Sequence, residues 1–201
     1  MALSSDGGVG YIAPAPPDTP SSNPRLDDGH WHEFDIKRRM VAAGVHFEAG
    51  IRKVIEVQIP ITKDWQILGH YDGIIRVPDT GQAWLRQVRH LFEAKSSTQG
   101  YYWKFMTQGY QQTFPSYFDQ IQGYLHGTIL GWTEMEDENS PVRALYQGLE
   151  DAEIDVECIT PDTALIAVKN KDNGSIWTEL VPKDDDAFFF LQRRWVAADE
   201  A

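Results

Sequence analysis

The sequence predicts one α/β domain with a central mixed β-sheet flanked by helices, and three observations predict it. A helix-forming stretch opens the ordered part of the chain, three strand-like runs follow in succession, and a second helical run comes after them. The 201 residues suit one large domain, and 42% hydrophobic composition with seven Trp and nine Phe supplies ample area to bury.

Taking the elements in order, residues 1–28 are rich in Gly, Pro, Ser and Asp and hold no run able to bury a face, so they read as a flexible arm before a domain at 29–201. Asp27 or Asp28 can cap a first helix over "GHWHEFDIKRRMVAAG", with Gly44 as its stop. Residues 53–61, "KVIEVQIPI", alternate as a half-buried strand. "ILGHYDGIIRV" is a second strand, "PDTGQ" a turn, and "WLRQVRHLFEAKSS" a third strand, which together suggest a meander. In "SYFDQIQGYLHGTILG" the spacing of Tyr117, Ile121, Tyr124, Leu125 and Thr128 predicts a second long helix covering one face of the sheet. "TALIAVKNKDNGSIWTELVPK" reads as a hairpin turning at Asn173-Gly174, and "DDDAFFFLQRRWVAA" as a closing helix with acids at its start.

No run approaches the ~18 apolar residues of a membrane helix and no secretory layout opens the chain, so no membrane partner and a cytoplasmic location are expected. The single Cys158 excludes an internal disulfide and a four-thiolate iron-sulfur cluster held by this chain. A net charge of −12 argues at first against a polyanionic partner, but the acidity is regional. Residues 30–104 hold eleven Lys and Arg against eight Asp and Glu, whereas residues 134–157 hold nine acids and one base. The acidic 134–157 stretch reads as a solvated loop or as a docking segment for a protein partner or a second copy.

Chemistry concentrates on the second and third strands. A spacing of two puts Glu93 and Lys95 on one face, and pairing around "PDTGQ" brings Asp72 beside them. Two carboxylates, with the Ala94 carbonyl as a neutral third donor, suit a hard cation such as Mg²⁺ or Mn²⁺, and Lys95 suits a developing negative charge. Solvent-facing ion pairs would give the same local pattern. Gln120 and Tyr124 lie one helical turn apart downstream, able to contact a phosphate or fix Lys95, and His32 stands early in the first helix. Tyr101, Trp103 and Lys104 combine aromatic faces with a cation, as stacking on unpaired bases requires; filling the core is the alternative use of such aromatics.

The order Gly-x-x-His-Glu, Gly-x-x-Asp-Gly, Glu-x-Lys, Gln-x-x-x-Tyr resembles the RecB-type branch of the PD-(D/E)XK nuclease superfamily, which includes phage exonucleases and the small CRISPR-associated adaptation nuclease. The resemblance spans about residues 28–198. It implies a restriction-endonuclease-like core and a metal-dependent DNA nuclease, an exonuclease before an endonuclease, serving roles such as phage DNA recombination in a prokaryotic or phage-infected cell. It implies metal contact by His32, Asp72, Glu93 and the Ala94 carbonyl, a catalytic Lys95, and support from Gln120 and Tyr124. The chain departs from the branch in lacking the four cysteines of its iron-sulfur cluster, so no cluster is expected, and in having a Pro-rich arm where entry helices usually stand. Two rivals remain. One is a nuclease-derived protein that binds nucleic acid or a protein without cutting, and the other is a different metal hydrolase built on His30, His32 and His70.

Overall fold

The computed structural model describes residues 24–78, 87–134 and 159–199, which form an α/β fold. Helix α1, Pro24–Ala42, presents Phe34, Ile36, Met40 and Val41 to the sheet and ends where the Gly44 N–H bonds the Val41 carbonyl at 2.9 Å. Its first turn lies inside the stretch expected to be arm, so ordered structure begins before Asp28. The strands follow as β1 (His46–Phe47), β2 (Lys53–Pro60), β3 (Gln66–Tyr71), β4 (Gly73–Pro78) and β5 (Gln87–Ser97). Three helices, α2 (Gln99–Gln108), α3 (Tyr110–Thr113) and α4 (Pro115–Leu125), lead to β6 (Thr128–Glu134). The chain ends with β7 (Thr163–Asn170), β8 (Ile176–Pro182) and α5 (Asp185–Asp199).

Two sheets share these strands: a five-stranded one in the order β1-β4-β5-β7-β8, and a three-stranded one in the order β3-β2-β6. The five-stranded sheet is mixed, since β5 and β7 are parallel and the other pairs antiparallel. Helix α1 covers one of its faces, packing Phe34 and Ile36 on Phe92, Ala94 and Ala167. The other face joins the larger core, in which Leu91, Ala164, Ile166 and Val168 meet Tyr110, Phe118, Ile121 and Tyr124 from α3 and α4.

Three expectations need correction. The run expected as one second strand is two, because the chain changes sheet at Asp72, and the meander is accordingly split between sheets. The second helix stops at Leu125, and Thr128 begins a strand instead. The reason lies at Gly127, where a Cβ would come within 2.3 Å of Val57 Cγ2 and 2.9 Å of the Gln58 carbonyl oxygen; the chain is pressed onto β2 there and continues by pairing with it. Residues 99–113, which carry no clear helical spacing, form α2 and α3. The hairpin of β7 and β8 and the closing helix form as expected, with Asp184 Oδ1 accepting from the Ala187 N–H at 2.9 Å as the cap of α5. Most of the acidic stretch, the "PDTGQ" turn beyond Pro78 and Cys158 lie outside the described residues. No described helix is long and apolar enough to cross a membrane.

Candidate active site

The site is made by a change of sheet. Tyr71 is the last residue of β3 to pair with β2, and Gly73 the first of β4 to pair with β5, opposite Phe92. Strand β5 therefore runs on past the end of β4 through Glu93, Ala94 and Lys95, where no described strand pairs with its backbone on that side. Asp72 takes the vacated place, its Oδ2 accepting from the Ala94 N–H at 2.7 Å. The N–H and C=O of one strand residue point to the same side, so the Ala94 carbonyl is turned towards Asp72 as well.

Alternation along β5 puts Glu93 and Lys95 on the face of Leu91, under α3 and α4. Glu93 is 3% exposed; one of its oxygens accepts from Lys95 Nζ, while Oε2 is buried with no partner. Lys95 Nζ sits 4.8 Å over the Tyr117 ring. Tyr124 packs against Tyr71 with ring centroids 5.5 Å apart, and its hydroxyl accepts from Gln120 Nε2. Gly69 admits that ring, since a Cβ there would lie 2.5 Å from Tyr124 Cε1. Tyr110 is fully buried and its hydroxyl has no partner.

The opposite face contributes Glu33 and Lys37 from α1. Lys37 is fully buried, its Nζ 2.8 Å from Glu33 Oε1 and donating to the Ile51 carbonyl at 3.3 Å. Burial, and then the negative charges of Glu33 and Glu93, push the Asp72 carboxyl well above the usual carboxylate range, against the pull of Lys37 and Lys95. Burial alone would lower the Lys95 ammonium, but Glu93, Tyr110, Asp72 and the hydrogen bond to Glu93 outweigh it and hold Lys95 well above the ordinary lysine value. Burial raises the Tyr124 and Tyr110 phenols, and Glu93 adds to both.

No family model matches the chain, and no curated protein matches it. One solved structure, titled "Crystal structure of SSO0001", is similar over 89% of this chain and 62% of its own, with 14% identity and a TM-score of 0.41. The chain thus spans under two thirds of that protein's length.

Of the residues singled out by sequence, Asp72, Glu93, Ala94 and Lys95 come together, and Tyr124, with Gln120 bonded to it, adjoins them. His32 faces elsewhere: its Nε2 lies 3.3 Å from Asp28 Oδ1, and burial and Lys169 at the far end of β7 lower its pKa. One residue further along the helix turns the side chain by about 100°, and it is the charge of Glu33, not His32, that raises the Asp72 carboxyl. Tyr101 and Trp103 are half exposed on α2, with Lys104 Nζ 5.3 Å over the Tyr101 ring, which in turn stacks on Phe114 at 6.1 Å. Sequence reasoning missed Glu33, Lys37 and Tyr110. The first two carried a signal, a Glu-Lys pair at i, i+4 in the same stripe as Phe34, Met40 and Val41.

Among the described residues no three His, Cys, Asp or Glu side chains gather closely enough to enclose a metal on their own. A hard cation that keeps several waters needs only one or two carboxylates. Asp72, the unpartnered Oε2 of Glu93 and the Ala94 carbonyl are oxygen donors of that kind, and the excess of carboxylate charge around Asp72 fits a cation.

Proposed function

We propose that the chain is a divalent-metal-dependent deoxyribonuclease of the PD-(D/E)XK type with a restriction-endonuclease-like core, degrading DNA from an end. The observation that carries this reading is the buried, unpartnered Oε2 of Glu93 beside Asp72, at the point where β4 leaves β5. A buried acceptor without a partner costs about 1–3 kcal/mol, a cost a chain retains where function needs the group. Asp72, Glu93 and the Ala94 carbonyl would hold Mg²⁺ or Mn²⁺, without an iron-sulfur cluster. When bound, the ion would neutralise charge on the phosphodiester and make a water more acidic.

The chain's own groups do the rest. Lys95, held protonated by Glu93 and braced on the Tyr117 ring, places a positive charge where the pentavalent phosphate gathers negative charge. Tyr124 and Gln120, bonded to each other, close the same face. Tyr101 and Trp103, exposed on the helix that follows Lys95, offer stacking surfaces to unpaired bases, with Lys104 for the backbone. Action at a DNA end and a part in DNA recombination in a prokaryotic or phage-infected cell rest on the motif order alone.

End-labelled single- and double-stranded DNA incubated with the purified protein tests this. Cleavage is expected with Mn²⁺, not with EDTA, and is lost in Lys95→Ala and Asp72→Ala. Equal cleavage by wild type and both variants overturns the assignment, and DNA binding without any cleavage favours a non-cutting descendant.

A further inference from the structure

We infer that Tyr117 is the positioning residue for Lys95: its ring face, rather than Gln120 or the Tyr124 hydroxyl, fixes the ammonium beside Glu93. The inference rests on the nuclease reading above and moves to Tyr117 a task that the motif order gives to Gln120 and Tyr124. Among the described residues the Lys95 ammonium makes two contacts. Glu93 Oε1 accepts a hydrogen bond from it, and the centroid of the Tyr117 ring lies 4.8 Å from Nζ. Gln120 and Tyr124 are engaged elsewhere. Gln120 Nε2 donates to the Tyr124 hydroxyl, and the Tyr124 ring packs on Tyr71 with centroids 5.5 Å apart, in the space left by Gly69. Helix α4 accounts for this division: Tyr117 and Tyr124 stand two turns apart on one face, about 10 Å along the axis. One end of that stripe meets β3 and the other reaches Lys95.

Lysine needs such a hold, because its ammonium is a point charge on a flexible four-carbon stem. The Lys95 side chain is 25% exposed where that of Glu93 is 4% exposed, so a single hydrogen bond leaves the stem free to swing towards water. An aromatic face within about 6 Å attracts an ammonium through the ring quadrupole, without accepting its protons or cancelling its charge. The charge therefore stays available to a phosphate, and no carboxylate oxygen beyond Glu93 Oε1 is taken up in holding it. The ring is itself anchored. It packs against the larger core and lies 6.1 Å from Phe114, which meets Tyr110 at 5.6 Å, Tyr101 at 6.1 Å and Phe105 at 6.3 Å.

Proton–carbon NMR of the metal-free full-length chain reads this contact without any cleavage. The Lys95 ε-methylene, assigned by its loss in Lys95→Met, is expected upfield of the ordinary lysine position through the Tyr117 ring current. It should stay there in Tyr117→Phe and in Gln120→Ala, and return to the ordinary position in Tyr117→Leu. With Mn²⁺ and end-labelled single-stranded DNA, Tyr117→Leu should lower kcat by about 3- to 30-fold at unchanged KM, and Tyr117→Phe should restore most of the rate. An unshifted Lys95 methylene in wild type, a shift lost in Gln120→Ala, an unchanged kcat in Tyr117→Leu, or a Tyr117→Phe as slow as Tyr117→Leu overturns the inference and leaves the nuclease reading intact. A folded wild type that does not cut with Mn²⁺ overturns both. Circular dichroism establishes folding of each variant, and the wild-type, Tyr117→Phe and Gln120→Ala spectra decide the matter should Tyr117→Leu fail to fold.

Discussion

Two buried charge clusters in this chain are built from the same materials and finished differently. At one, Glu48 is fully buried and both its oxygens are used: Arg76 Nε donates to Oε1 at 2.8 Å, Arg89 Nε also donates to Oε1, and Arg89 Nη2 donates to Oε2 at 2.8 Å. At the other, Glu93 is as deeply buried, yet one oxygen has no partner and neighbouring Asp72 is pushed far from its ordinary pKa. The first cluster clips β1 to β4 and β5. The second clips nothing on its open side. A saturated cluster reads as structural and an unsaturated one as a binding site, because only the latter keeps donor capacity for something that arrives later.

That contrast can be broken in graded ways. The largest effect falls on the saturated cluster: Glu48→Gln removes the carboxylate charge that Arg76 and Arg89 share and is expected to cost about 3–5 kcal/mol in urea denaturation, with Mn²⁺ affinity of the folded fraction unchanged. Next, Lys95→Met is expected to lower the DNA cleavage rate of the folded, metal-loaded protein by about 10²–10³-fold, and to destabilise the metal-free fold because Glu93 loses the ammonium that pairs it. Trp103→Ala, at an exposed position, should weaken single-stranded DNA binding by about 1–3 kcal/mol in fluorescence titration and leave the melting temperature unmoved. The smallest effect concerns Asp35. Burial pulls its carboxyl up, but Lys169 and Arg38 hydrogen-bond it, with Arg39 nearby, and hold it down at about 2. An acid with a lowered folded pKa binds fewer protons folded than unfolded, so its contribution is present above about pH 4 and is lost as the pH falls through about 2. Asp35→Asn should therefore cost up to about 1 kcal/mol near neutrality and nothing once the pH is well below about 2.

Much of this was legible in the residues themselves. Period-two alternation placed Glu93 and Lys95 on one face, and the NG turn and acidic start announced β7, β8 and α5, because these signals are local. The change of sheet at Asp72 was not legible, since β3 and β4 form an unbroken strand-like run and only the partners on either side divide it. Nor was β6, where the helical spacing runs on to Thr128 and the stop is set by the approach of Gly127 to β2. On α1 the motif drew attention to His32, while the helix rotation that selects Glu33 depends on how Phe34 and Ile36 seat in the core. The arrangement of Tyr110 and Tyr117 over the site likewise rests on tertiary packing of α3 and α4, which no spacing announces.

The central claim is that the unsaturated cluster is a metal site, and thermal unfolding with and without Mn²⁺ tests it most directly. Saturating ligand at 100 times its dissociation constant stabilises a fold by about 2.7 kcal/mol, a rise of roughly 5–10 °C for a chain of this size. Wild type should show that rise. Asp72→Asn, which keeps an acceptor for the Ala94 N–H but relieves the crowded charge, should melt at or above metal-free wild type and not respond to Mn²⁺. Wild type indifferent to Mn²⁺, or an equal rise in both proteins, would contradict the account.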